Sequence, residues 1–237
     1  MQVNISNLSK SYGGKTVLKI DELNLNHQEI TGFVGNNGAG KTTFFKSLLN
    51  LIKSDSGTIE LIQGQSRIAP FKTEEWKKFT GAYLDDSFLI DFLTPKEFFE
   101  FIGKINQMNK EEVGEFLEQI KTFTHDDILD EKKLIRNLSA GNRQKMGIAA
   151  AMMGRPKLLV LDEPFNFLDP SSQNRLKQML VNYQRQNEAT VFISSHNLQH
   201  TIDISQRIIL LENGKIVKDL NNQGQSAEKE LEQYFNI

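Results

Sequence analysis

The sequence contains no cysteine. That excludes disulfides, thiolate metal sites and thiol nucleophiles, and it fits a reducing compartment. A net charge of any size is also missing, because 28 Lys and Arg against 30 Asp and Glu leave −2. So balanced a chain has no whole-molecule field to draw in nucleic acid or an anionic membrane. Long apolar runs are absent too. The longest, Ile148 to Met153, falls far short of the roughly 20 residues that a membrane-spanning helix needs. The first residues, Met1-Gln2-Val3-Asn4-Ile5-Ser6, lack the charged-then-apolar order of a secretory signal. No internal repeat or low-complexity tract is visible. The expected location is the cytoplasm, with any work at a membrane depending on another chain.

The 237 residues are enough for one large domain or two small ones, and a hydrophobic fraction of 38% can supply a core. Alternating apolar residues predict strands over Gln2 to Leu8, Val17 to Leu25 and Ile30 to Val34. Gly35 begins a turn, Lys41 to Leu51 reads as a helix, and Thr58 to Ile62 as a further strand. The character changes near Asp85. Thr94-Pro95-Lys96-Glu97 is a helix start, with Thr as N-cap, Pro at the first helical position and Glu three residues after the cap. Helical patterns follow over Pro95 to Asn106, Lys110 to Phe123 and, after a linker around Asp130, Ala140 to Met153.

Leu158-Leu159-Val160-Leu161 is apolar throughout, as a strand buried on both faces of a parallel sheet must be. Pro170 to Gln186 reads as a helix capped by Asp169, Thr190 to Ser194 as a strand, and Asn197 to Ser205 as a helix. Arg207 to Leu211 and Lys215 to Asp219 form a hairpin around Asn213-Gly214, and Ser226 to Tyr234 a last short helix. The expected architecture is an α/β core from 1–84 and 156–237, interrupted by an all-helical block over 85–155.

Gly35-Asn36-Asn37-Gly38-Ala39-Gly40-Lys41-Thr42 fits the pattern G-x-x-x-x-G-K-[ST] at every fixed position. The glycines let the backbone turn so that successive N–H groups face phosphate oxygens, and the following helix adds its positive end. Lys41 would neutralise the terminal phosphates of a nucleotide, and the Thr42 hydroxyl would ligate Mg²⁺. A chance match in a chain of this length is about 1 in 100 from residue frequencies.

Asp162-Glu163 leaves the buried run Leu158 to Leu161. An acid in that position is costly unless it meets a cation. Asp162 suits the Mg²⁺ shell beside Thr42, and Glu163 suits a general base for an attacking water. Ser139, in Leu138-Ser139-Ala140-Gly141, reads as a helix N-cap. It is either a second phosphate site, made of a hydroxyl, free N–H groups and a helix dipole, or a plain cap. His196, just past the strand end Phe192-Ile193-Ser194-Ser195, can sense a γ-phosphate or can simply be a surface residue.

These features, in this order and over nearly the whole chain, resemble the ATP-binding cassette (ABC) ATPases. Gly35 to Thr43 looks like the Walker A loop, Leu158 to Glu163 like Walker B, Leu138 to Asn142 like the signature, Phe167-Leu168-Asp169 like the D-loop and His196 like the switch histidine. The resemblance implies a P-loop NTPase core: a mixed sheet with helices on both faces, an N-terminal antiparallel β part and an all-helical insertion. It implies ATP and Mg²⁺ as ligands. Nucleotide would be held by Tyr12, stacking on adenine, by Val17, and by Asn37, Gly38, Ala39, Gly40, Lys41, Thr42 and Thr43. Lys41, Glu163 and His196 would act in hydrolysis. It further implies head-to-tail pairing with an identical or different second cassette, so that Ser139 and Gly141 serve the partner's nucleotide. The chain would sit on the inner face of the cell membrane through separately encoded transmembrane subunits, with no nucleic-acid partner.

The sequence departs from the family pattern in two places. Ala140 and Asn142 replace a glycine and a glutamine of the signature. Asp85 and Asp86 follow the strand Gly81 to Leu84, where a glutamine belongs; Asp86 is the nearer match and a candidate Mg²⁺ contact. The single cassette points to a transporter ATPase, an exporter by likeness of its Asn-Asn-Gly-Ala-Gly-Lys-Thr-Thr loop. A soluble ABC ATPase of translation or DNA repair would carry two cassettes or a long coiled-coil insertion. A small-molecule kinase leaves Ser139, Glu163 and His196 unexplained. An inactive regulatory module is the remaining alternative.

Overall fold

A computed structural model describes residues 1–124, 129 and 133–235. The chain opens with β1 (Gln2–Tyr12) and β2 (Lys15–Leu25), an antiparallel pair, and β1 pairs on its other side with β4 (Ser56–Gln63). A short β5 (Ser66–Ile68) completes a four-stranded antiparallel sheet in the order β2-β1-β4-β5. Val3, Ile5 and Leu8 of β1 are buried, as are Leu18, Ile20, Leu23 and Leu25 of β2, so one face of this sheet packs inward.

The second sheet has six strands in the order β10-β9-β3-β8-β7-β6. Its members are β3 (Ile30–Val34), β6 (Thr80–Tyr83), β7 (Leu158–Leu161), β8 (Thr190–Ser195), β9 (Arg207–Glu212) and β10 (Lys215–Asn221). All pairings are parallel except β9 with β10. Asn213 and Gly214 join that pair with φ of 50° and 77°, the two positive values that a tight two-residue hairpin requires.

Strands β3, β7 and β8 are buried along their whole length, and their alternation feeds two cores. Leu158, Val160 and Phe192 point to a cluster with α1 (Lys41–Leu48) and the antiparallel sheet. Leu159, Leu161, Val191 and Ile193 point to a cluster with the helical block. In the first cluster the Phe33 ring meets Phe44, Phe45 and Phe192 at centroid distances of 4.9, 5.2 and 5.7 Å. Helix α1 is thereby held between the two sheets.

The helical block contains α2 (Pro95–Ile105), α3 (Lys110–Thr124) and α4 (Ala140–Met152). The expected capping box is present: Thr94 Oγ1 accepts from Glu97 N–H, and Glu97 accepts from Thr94 N–H at 2.8 Å. The linker expected around Asp130 lies outside the described residues. Helices α5 (Pro170–Asn187), α6 (Leu198–Ile204) and α7 (Glu228–Phe235) complete the chain. Among the described residues no helix is long and apolar enough to cross a membrane.

Candidate functional site

The phosphate-loop segment leaves β3 at Gly35 and enters α1 at Lys41. Gly40 sits at the helix N-cap with φ of 108°, and no side chain caps the first turn. Its N–H groups are therefore free of side-chain partners, the arrangement that accepts an anion. A side chain at Gly35, where φ is 150°, would lie 2.3 Å from the Leu211 carbonyl oxygen. From below, the loop is braced by the β9–β10 turn, where Gly214 N–H donates to the Ala39 carbonyl at 2.9 Å. The Val17 carbonyl lies against Gly40 and Gly214. That places Val17 at the rear of the loop by backbone contact.

Lys41 is buried, and its Nζ donates to the Gly35 carbonyl at 2.6 Å. The same ammonium lies 3.4 Å from Glu163 Oε1. Thr42 Oγ1 donates to Asp162 Oδ2 at 2.5 Å. Asp162 Oδ1 accepts from Ser194 Oγ, and the same hydroxyl accepts from Glu163 N–H at 2.7 Å. Burial pushes the Asp162 carboxyl above the usual carboxylate range, against the opposing effect of the Ser194 and Thr42 hydrogen bonds.

Glu163 occupies the left-handed region at φ 48°, an uncommon place for a side-chain-bearing residue and one that surroundings must impose. Its N–H is taken by Ser194, and its carbonyl accepts from Gln144 Nε2 at 3.1 Å and Asn166 N–H at 3.2 Å. Its Oε2 accepts from His196 N–H at 3.2 Å and lies 2.8 Å from His196 Nδ1. Lys41, Thr42, Asp162, Glu163 and His196 thus meet in one place, at the carboxyl ends of β3, β7 and β8, where parallel α/β sheets bind ligands.

The pair Thr42 and Asp162 offers two hard oxygen donors, which suits Mg²⁺. No cluster of three or more His, Asp or Glu that could hold a metal occurs among the described residues. Two protein oxygens suit an ion that keeps its other positions for phosphate and water, the usual habit of Mg²⁺.

Among the described residues, no hydrogen bond or ion pair ties the remaining sequence candidates to this centre. Tyr12, at the end of β1, is 52% exposed with Lys10 Nζ 5.2 Å above its ring. Ser139 caps α4 by accepting from Asn142 N–H at 3.2 Å, and Gly141 lies against the Phe167 carbonyl. No described hydrogen bond joins either to the phosphate loop. Asp169 caps α5, where hydrogen bonds from Ser172 and Ser171 hold its carboxyl well below the usual range. Asp86 contacts neither Thr42 nor Asp162; its partners are Tyr83 and Arg143.

Two residues of the site carry no assignment from sequence, Ser194 and Gln144. The available signal for Ser194 is a hydroxyl closing a strand that is otherwise apolar. Gln144 is a buried amide at the start of the second turn of α4, and no local pattern distinguishes it from an ordinary helix residue.

The family profile described as "ABC transporter" matches residues 18–166. The chain is 32% identical to TupC, the ATP-binding protein of a tungstate uptake system in Peptoclostridium acidaminophilum, over 91% of this chain and 97% of that protein. Similarity to the bacitracin transport ATP-binding protein BcrA of Bacillus licheniformis is 32%, over 92% and 69% respectively. Similarity to LptB, the ATP-binding protein of the lipopolysaccharide export system of Haemophilus influenzae, is 31%, over 89% and 87%. Among solved structures, CbiO1 of Clostridium perfringens, part of an ABC transporter complex, superposes with a TM-score of 0.76 at 24% identity, covering 99% of this chain and 94% of that one. A bacterial ABC transporter cassette solved as a dimer gives 0.79 at 21% identity, covering 92% and 98%. Both share the fold.

Proposed function

The chain belongs to the ABC transporter family as an ATP-binding ATPase subunit, and on that premise we propose how its own residues divide the work. The backbone from Gly35 to Gly40 cradles the phosphates, Lys41 neutralises their charge, and the exposed Tyr12 ring stacks on adenine. Thr42 and Asp162 hold Mg²⁺, which when bound offsets the charge of the β- and γ-phosphates. Glu163 orients a water and accepts its proton, while His196, fixed on Glu163 Oε2, keeps that carboxylate aimed and touches the γ-phosphate.

The observation that carries this reading is the convergence of Lys41, Glu163 and His196 beside the Thr42–Asp162 bond. Among the described residues no hydrogen bond joins Ser139 or Gly141 to its own loop, which supports head-to-tail pairing in which they close the nucleotide of a second cassette. Transmembrane subunits encoded separately would take up the motion and hold the chain at the inner face of the membrane. Relatives at 31–32% identity serve tungstate uptake in one case and lipopolysaccharide export in another. The exporter reading therefore rests on the likeness of the phosphate loop alone.

Glu163→Gln tests the assignment. The variant should lose ATP turnover by about a hundredfold or more, the scale of general-base loss, and still bind ATP and gather into a stable dimer. Turnover at the wild-type rate would remove Glu163 from the role of base.

A further inference from the structure

Asp86 is the nearer match to the glutamine of the family pattern, and both of its carboxylate oxygens are engaged. Oδ1 accepts from the Tyr83 hydroxyl at 2.7 Å, and Oδ2 lies 2.8 Å from Arg143 Nη2. Arg143 belongs to the first turn of α4, one turn beyond Ser139 and two residues beyond Gly141; its N–H donates to the Ser139 carbonyl at 2.9 Å.

Tyr83 joins the same helix by packing. It is 1% exposed, and a side chain at Gly147 would come within 2.0 to 2.5 Å of its ring, so the ring lies flush on α4. On the opposite side, the Tyr83 carbonyl accepts from Asp162 N–H at 3.0 Å. An unbroken series of contacts thus runs from the Mg²⁺ carboxylate strand through Tyr83 and Asp86 to Arg143.

The other end of the Asp86 segment is fastened independently. Ile135 N–H donates to the Leu93 carbonyl at 2.9 Å and Arg136 N–H to the Asp91 carbonyl at 3.2 Å, just ahead of Leu138 and Ser139. Residues 86–93 and 135–143 therefore brace each other at both ends. A carboxylate in this position is explained by its neighbour: an arginine on the signature helix pairs with an acid far better than with an amide.

We propose that Asp86 and Arg143 form a positioning pair that sets the attitude of Ser139 to Gly141 relative to the Asp162 strand. The pair couples the nucleotide site of one cassette to the surface it offers the next. Asp86 is then a positioning residue and not a Mg²⁺ ligand. The proposal rests on the head-to-tail reading above.

The test uses the full chain in four forms: wild type, Asp86→Asn, Arg143→Gln, and the reversal Asp86→Arg with Arg143→Asp. Each is also made with Glu163→Gln, and ATP-dependent dimer is measured by light scattering. Each single change should raise the ATP concentration for half-maximal dimerisation about three- to fivefold, as expected for a half-exposed pair. The reversal should return it to within about twofold of wild type. The Mg²⁺ midpoint for turnover should be the same in both single variants as in wild type.

A reversal no better than the singles overturns the proposal. So does a Mg²⁺ midpoint that moves in Asp86→Asn and not in Arg143→Gln, which would make Asp86 a ligand. If Arg143→Gln fails to fold, Arg143→Lys, which keeps the charge and loses the fork, should show the same direction of effect, and no effect there counts against the pair. Glu163→Gln that forms no dimer with ATP overturns the head-to-tail reading itself; a dimer that forms equally in all four backgrounds overturns the pair alone.

Discussion

Replacing Ser194 with alanine is the sharpest probe of how the site is built. The hydroxyl is fully buried and donates to Asp162 while accepting from Glu163 N–H. Its loss removes a hydrogen bond to a charged group, worth about 1.5–3 kcal/mol, and leaves a buried N–H unpaired at a cost of about 1–3 kcal/mol. Allowing for partial relaxation, a net loss of roughly 2–4 kcal/mol is expected. For a chain of this size that lowers the melting temperature by roughly 5–15 °C. A second effect falls on proton binding. Burial already raises the Asp162 carboxyl, and the Ser194 bond opposes that rise. Without the hydroxyl the carboxyl rises further, so the acid limb of ATP turnover moves to higher pH. Calorimetry, with initial rates from roughly pH 5 to pH 8, reads both. Ser195→Ala is the control, since the Ser195 hydroxyl accepts from Asn197 N–H and does not touch Asp162. A Ser194→Ala chain with wild-type melting and an unmoved acid limb would refute the bridging role.

Two further changes follow from the same physical terms. Because the folded chain holds the Asp162 proton more tightly than the unfolded chain does, stability from this group is lost as pH rises through the raised carboxyl value. Asp162→Asn should abolish that loss, raising stability without Mg²⁺ at neutral pH by about 1 kcal/mol, or roughly 2–4 °C, while Mg²⁺-dependent turnover disappears. A lower melting temperature would mean that the bonds from Thr42 and Ser194 outweigh the cost of burial. Tyr12→Ala should weaken ATP binding about 5- to 150-fold, the worth of one stacked base, with stability within about 0.5 kcal/mol because the ring is half exposed. Unchanged affinity by titration calorimetry would take Tyr12 out of the adenine site.

The parts of the site legible in the sequence are those whose chemistry forces fixed spacing. Gly35 to Thr42 and Leu158 to Glu163 are local motifs, and the fold places them together as their pattern requires. The interior of β7 was readable because a strand covered on both faces must be apolar throughout. Ends were less legible. The apolar alternation of β1 stops at Leu8, yet its pairing with β2 continues through Ser9, Lys10, Ser11 and Tyr12, because backbone hydrogen bonds do not need buried side chains. Helix α1 stops at Leu48, where Asn50 turns to φ 50° and leaves Leu51 half exposed, although the apolar pattern runs on. Strand β5 has three residues and none buried, so no pattern marks it. The Ser194 bridge and the pairing of Asp86 with Arg143 were out of reach for another reason. Asp162 and Glu163 are distant from Ser194 in sequence, as Arg143 is from Asp86, and a hydroxyl or acid beyond a strand looks the same whether it faces water, a metal carboxylate or an arginine.

The placement of α1 has a mechanical consequence. Phe44, Phe45 and Leu48 are wedged between two sheets, in one cluster with Phe33 and Phe192. Withdrawing three such side chains would cost about 1.5–3 kcal/mol each, before any strand had shifted. The phosphate loop is therefore the anvil of the molecule. Packing of this kind resists displacement of α1 when nucleotide arrives, so movement would fall to parts outside this cluster. Under the coupling proposed above, the helical block would be the lever arm and the short end of β6, where the Tyr83 ring lies flush on α4, its fulcrum.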